Sequence, residues 1–333
     1  MKSKRNVYLD LFKYFLAFLV VCIHFECNTL LMPIYRVAVP TFFIISGFFA
    51  FSPDYNKQLE KCKKLIKSSI KYLVIGLSIY FIYDLISIFF CLQYGTLNTE
   101  LQHLILTGTM SGEGKPLFHS YHLWFLHALI MVAIYNYFIC KFNKQRIYLV
   151  LVPIFIALSL FINGYAPALQ LFTLPTLITR NSILTGLPFF GIGFLIKKYN
   201  ITLKSVAIKI LVIVVSIAFL GVAILERYNI YEMEFYLSSV ISSIGFILFF
   251  TSINVKENKF SKFFYDKVGT NGPFYCYILH IMFGMHFRTI GLPTGIVALV
   301  TFLTSVAIYE IFFIISKLCN SKLKSVSKNT SQN

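Results

Sequence analysis

Asp10, Lys13 and His24 lie in one apolar run near the start of the chain, residues 7–25. If that run is a helix, Lys13 and His24 are 11 positions apart, three turns with an offset of only about 20°, so they share a face about 16 Å apart. Asp10 precedes Lys13 by one turn on the same face and can pair with it. The stripe so formed has a basic group at one end and an imidazole at the other. That suits a long anionic ligand, with phosphates at Lys13 and a reactive end at His24, whose imidazole can take a proton from a hydroxyl near neutral pH. Each residue also has a plainer reading. Asp10 and Lys13 can be an interfacial ion pair with the amine reaching water, and His24 a hydrogen-bonded packing residue.

Further polar residues stand in equally apolar surroundings, where a charge costs at least ~2.5 kcal/mol. Arg36 precedes Pro40, Ser46 and Gly47 in a second run, and reads either as an interfacial anchor or as a holder of an anion or sugar hydroxyl. His122 and Trp124 open a fourth run; an interfacial aromatic belt and a substrate contact are both open to them. His280 belongs to the bundle interior, where a polar ring is cheaper than in lipid. Asp84 and Glu310 are expected to make packing hydrogen bonds between helices. His119 and His122 have no carboxylate or thiolate nearby in sequence, so no metal site is expected.

These residues need a membrane-spanning framework. Of 333 residues, 57% are hydrophobic and 13% charged, and the mean hydropathy is +0.74, which excludes an ordinary soluble protein. Apolar runs at 7–25, 34–51, 68–92, 122–140, 147–162, 183–196, 206–225, 233–253, 272–287 and 295–315 predict an all-α polytopic membrane protein of about ten transmembrane helices. The runs at 147, 183 and 272 are short for a span. With the N-terminus in the cytoplasm, 24 of the 30 Lys and Arg fall in inner segments. Arg36, Lys115, Arg180, Arg227 and Arg288 are left outside, and Lys13 within a span. The positive-inside rule therefore predicts both termini cytoplasmic. The net charge of +17 is topology, and nucleic acid is not an expected partner.

The first run is a span and not a cleavable signal peptide, because it is long and carries Asp10 and Lys13. The seven cysteines are scattered and lack metal-ligand spacing; they read as core and lipid-facing residues, and a Cys27–Cys91 disulfide on the outer side is an open alternative, since both fall near outer helix ends. The outer segment 93–121, with an amphipathic stretch at 99–106, suits a lid or acceptor platform. Residues 1–318 form the membrane domain, and 319–333 a short cytoplasmic polar tail with no attached soluble domain.

Four segments, in this order, resemble the membrane acyltransferase family known as acyltransferase 3, whose members O-acetylate bacterial surface polysaccharides. They are Asp10-Leu11-Phe12-Lys13 followed by His24; the Arg36 to Phe48 run with Pro40, Phe43, Ser46 and Gly47; His122-Leu123-Trp124-Phe125-Leu126; and Tyr277-Ile278-Leu279-His280. The resemblance implies a ten-helix bundle around a central pore in the bacterial inner membrane, and acetyl-CoA as an acyl-donor substrate, with no permanently bound cofactor. It places His24 at the transfer centre, assisted by Asp10, which orients Lys13. It assigns the donor phosphates to Lys13 and to a basic pair matched here by Lys64 and Lys67. The family commonly carries arginines at that pair; lysine binds phosphate as a point charge and not as a bidentate fork. Arg36, Ser46, His122, Trp124 and His280 are the expected substrate contacts.

The expected activity is therefore O-acetyl transfer to a hydroxyl of a cell-surface polysaccharide or lipid-linked saccharide. A transporter of a small metabolite or saccharide using the same stripe is the alternative, and the absence of visible inverted repeats weighs against it. A purely structural subunit would not explain the aligned Asp10, Lys13 and His24. The sequence leaves the acceptor and the oligomeric state open.

Overall fold

The structure, a computed structural model, describes residues 6–91, 121–172, 174, 180–229, 234, 236–253, 259–268 and 270–330. Among these, every regular element is helical. Except for its last residue, Tyr121, the expected outer platform at 93–121, with Lys115 and His119, lies outside the described residues, as do the side chains of Asp84 and Cys91. Two compact units divide the chain, one drawn from Met1–Cys27 and Asn254–Asn333, the other from Asn28–Ile253.

The first unit is built on three long helices: α1 (Val7–His24), and two later helices, Gly272–Thr289 and Thr294–Thr330, which pack on α1 and on each other. Asn6 caps α1, its side-chain oxygen accepting from the Tyr8 and Leu9 N–H groups at 3.1 Å, so the first turn is secured with two otherwise orphan donors satisfied. Gly272–Thr289 runs alongside α1 in the same direction, with Gly272 under the Tyr14 phenol and Gly284 against the Phe25 ring. Thr294–Thr330 returns antiparallel, its start joined to Cys27 and Phe302 packed edge-on to Phe18. Its buried face, Val297, Thr301, Ser305 and Tyr309, repeats every fourth residue, as one helical stripe must. Its helical backbone continues through the polar residues 319–330.

In the second unit the expected span at 34–51 is broken into α2 (Met32–Tyr35) and α3 (Ala38–Ala50), with Arg36 and Val37 in the turn between them. Then follow α4 (Tyr55–Cys91), α5 (Trp124–Lys141), α6 (Tyr148–Leu160), α7 (Leu187–Lys198), α8 (Val206–Asn229) and α9 (Leu237–Thr251). The helices of the first unit that follow in the chain are α10 (Gly272–Thr289) and α11 (Thr294–Thr330). Helix α4 starts well before the run at 68–92, because Asp54 caps it, accepting from Lys57 N–H at 2.8 Å, and its basic first turns are good helix formers. Its 37 residues span about 55 Å, more than a bilayer core of about 30 Å, so part of the helix projects beyond it.

Among the described residues, seven helices are long and apolar enough to cross a membrane: Val7–His24, Met32–Ala50, Tyr55–Tyr83, Tyr121–Lys141, Gln145–Ala168, Val206–Tyr228 and Thr294–Lys317. The short run at 147–162 gains length through a π-helical turn at Phe161–Tyr165. The remaining three expected spans are helices that fall short of that measure. The run at 183–196 is a π-helical turn, Ser182–Gly186, leading into the 12-residue α7. Helix α9 has 15 residues, and α10 is diluted by His280, His286 and Arg288.

Candidate functional site

In the first unit the polar stripe on α1 forms as its spacing requires. Lys13 Nζ lies 2.8 Å from Asp10 Oδ1. The other Asp10 oxygen accepts from the Tyr265 hydroxyl at 3.3 Å. Asp10 is buried and Lys13 is partly open, with side-chain exposures of 8% and 23%. A carboxylate so enclosed holds the amine in one place while leaving it an open side. Asp10 touches Lys13 and Tyr265 and stands nearly four turns from His24, so it positions the lysine and does not act on the imidazole.

At the other end of the stripe, α10 brings His280 to His24. The ring centroids are 5.0 Å apart with planes inclined at 45°. His280 is fully buried, and its Nδ1 lies 2.8 Å from the Tyr277 carbonyl and 3.2 Å from that of Cys276. Carbonyl oxygens only accept, so Nδ1 carries a hydrogen, and in the neutral ring Nε2 is the basic nitrogen. Tyr277 continues the row, its ring 6.1 Å from that of His280. His24 is half-buried, which leaves one side of its ring to a substrate.

Glu310 of α11 faces the Tyr14 hydroxyl of α1, the interhelical polar contact expected of it. Cys27 has its Sγ 3.6 Å from the Thr294 carbonyl; the expected Cys27–Cys91 pairing falls on Cys91, whose side chain lies outside the described residues.

In the second unit Arg36 belongs to a charged cluster. Its Nη1 lies 3.0 Å from Glu234 Oε1, and Arg180 Nη2 lies 2.6 Å from the same oxygen. Burial pushes the Glu234 carboxyl up, but the two guanidiniums outweigh it and hold the group at about 2. Ser46 Oγ donates to Phe42 O at 2.9 Å, a bond within its own helix. His122 is buried with its ring edge-on to Tyr80 at 5.1 Å, and Trp124 beside it is half-buried. Lys64 and Lys67 are exposed on the basic part of α4, where an anion can reach both.

The structure thus joins Asp10 to Lys13 and His24 to His280, and adds Tyr265, Arg180 and Glu234, which sequence spacing did not single out. Tyr265 and Asp10 are 255 positions apart, and no local period signals such a contact. Among the described residues, no group of three His, Cys, Asp or Glu side chains could hold a metal ion.

An all-helical, multi-pass membrane protein with a half-buried imidazole backed by a buried one, and an ion-paired lysine on the same helix as the first, is the class that fold and site define. The chain matches the model of the acyltransferase domain family, acyltransferase 3, over residues 6–317, and it belongs to that family. An amino-acid racemase of Enterococcus faecalis is 30% identical over 148 residues, 40% of this chain and 19% of that protein. The chain therefore spans about a fifth of the length of that curated relative. No solved structure gives a significant match.

Proposed function

We propose that this membrane acyltransferase moves an acetyl group from acetyl-CoA to a hydroxyl of a cell-surface polysaccharide or lipid-linked saccharide at the bacterial inner membrane. The observation that carries the reading is the α1 stripe: a fixed, partly open lysine amine at one end and a half-buried imidazole backed by a second imidazole at the other. Their separation of about 16 Å suits a donor whose phosphates and thioester lie far apart. His24 takes the proton of the acceptor hydroxyl as that oxygen bonds to the thioester carbonyl carbon. The carbon–sulfur bond then breaks, and the departing thiolate receives the proton from His24. Ester and free thiol are the products, and His24 is regenerated.

Lys13, held by Asp10 and Tyr265, is the donor-phosphate residue in this unit. Lys64 and Lys67 are the donor candidates of the other unit, and Arg36, Ser46, His122 and Trp124 its acceptor candidates. Purified protein in liposomes, given labelled acetyl-CoA and a cell-envelope glycan extract, is expected to move label into glycan. His24→Ala is expected to abolish that transfer while staying folded. Transfer by the folded variant would exclude His24 as the base; neither donor binding nor transfer by the folded wild type would favour the transporter.

A further inference from the structure

We propose that His280 is the positioning residue of His24, fixing the tautomer and ring orientation with which His24 meets the acceptor hydroxyl. The inference rests on His24 being the general base. His280 is suited to the task by three features. It is fully buried on α10, so it is shielded from solvent exchange. Its Nδ1–H is spent on the Tyr277 and Cys276 carbonyls, which holds the ring against its own helix and leaves Nε2, on the far edge, as an acceptor. Its centroid stands 5.0 Å from that of His24 with the planes inclined at 45°; the rings are not hydrogen-bonded to each other at Nε2 in this state, and a small closer approach lets one N–H···N bond join them. Such bonds are often long in a free enzyme and tighten in the reactive complex.

An acceptor nitrogen here favours the His24 tautomer that keeps a hydrogen on the side facing His280. The opposite His24 nitrogen then holds the lone pair that takes the hydroxyl proton. During transfer that proton moves from hydroxyl to His24 to thiolate, while the hydrogen between the two rings stays in place. His280 accordingly touches neither donor nor acceptor, in place of the substrate contact expected from its sequence position. A buried carboxylate usually orients a catalytic histidine in this way; a neutral imidazole does so without placing a negative charge among apolar helices.

Two variants separate orientation from packing. His280→Asn retains an amide near Nδ1 for the backbone carbonyls and lacks anything at Nε2, whereas His280→Gln carries an amide to the Nε2 position. With labelled acetyl-CoA and a titrated cell-envelope glycan extract, His280→Asn is expected to lower kcat at least tenfold with both apparent KM values unchanged. His280→Gln is expected to recover part of that loss. Wild-type kcat in folded His280→Asn, or a rise in KM for the extract alone, would overturn the inference. 15N-histidine spectra of the wild-type protein, with His24 assigned by its loss in His24→Ala, supply a test that needs no His280 variant: a single neutral tautomer is expected, and a freely exchanging mixture overturns it. Transfer by His24→Ala would instead sink the base reading itself, whatever His280 does.

Discussion

Two guanidiniums converge on one oxygen of Glu234, and that single carboxylate gives the second unit a built-in acid sensitivity. Its folded-state value of about 2 lies below the ordinary 4.5, so its contribution to stability is fully present above about pH 4.5. It is lost as pH falls towards 2, because the proton it then accepts must displace the Arg36 and Arg180 contacts. Melting temperature in detergent is expected to fall more steeply between pH 5 and pH 2 for the wild type than for Glu234→Gln, with the variant less stable at pH 7. Parallel curves would mean that the cluster adds nothing. Residues of this kind divide sharply in how far sequence exposes them. The Asp10–Lys13 pair is one turn long and follows from helical spacing. Glu234 stands 54 positions from Arg180, and its role depends on which helix ends meet.

At the scale of elements, the tightest crossing is α3 on α7. A Cβ on Gly193 would stand 1.8 Å from the Ile44 carbonyl oxygen, and one on Gly47 would stand 1.9 Å from that of Phe190. The backbones touch reciprocally, as small residues allow between membrane helices. Gly193→Val must push them apart, at a cost of about 1–3 kcal/mol or more for overpacking, and is expected to lower the melting temperature markedly. Gly221→Ala is the control, with nothing within 4 Å of the new Cβ; it should leave stability equal or slightly raised, since alanine favours helix. Equal effects of the two substitutions would refute the crossing.

A second device ties α4, α5 and α6 together. Asn136 is fully buried, donates to Cys62 Sγ at 3.2 Å and accepts from the Tyr148 hydroxyl at 3.2 Å. Gln58 completes the tie, donating to the Ala50 carbonyl at the end of α3 at 2.9 Å. Asn136→Leu leaves the phenol buried without that acceptor and is expected to cost about 1–3 kcal/mol. An unchanged melting temperature would show that the network relaxes around the loss.

For the whole molecule, the prediction concerns topology. The basic residues crowd into alternate inter-helix segments, which calls for both ends of the chain in the cytoplasm. A fluorescent-protein fusion at the C-terminus should glow, and an alkaline phosphatase fusion there should be inactive. The reverse result would require either an odd number of crossings or an N-terminus outside as well, and would overturn the cytoplasmic placement of the C-terminus. Helices α7, α9 and α10 bear on the count, because each is short or polar by the measure that the other spans satisfy.

Sequence alone determined what depends on composition and on the period of a single helix: the all-helical membrane class, the family likeness, the order of the helices, and the stripe carrying Asp10, Lys13 and His24. These follow because a bilayer demands apolar helices and because 3.6 residues per turn decides which neighbours share a face. Tertiary structure decided what depends on pairs distant in the chain. It set His280 beside His24, supplied Tyr265 to Asp10 and Glu234 to Arg36, and broke the second span at Arg36. Such contacts arise from the crossing of separate helices, where the position of a side chain is set by the packing of every helix around it and carries no local period to read.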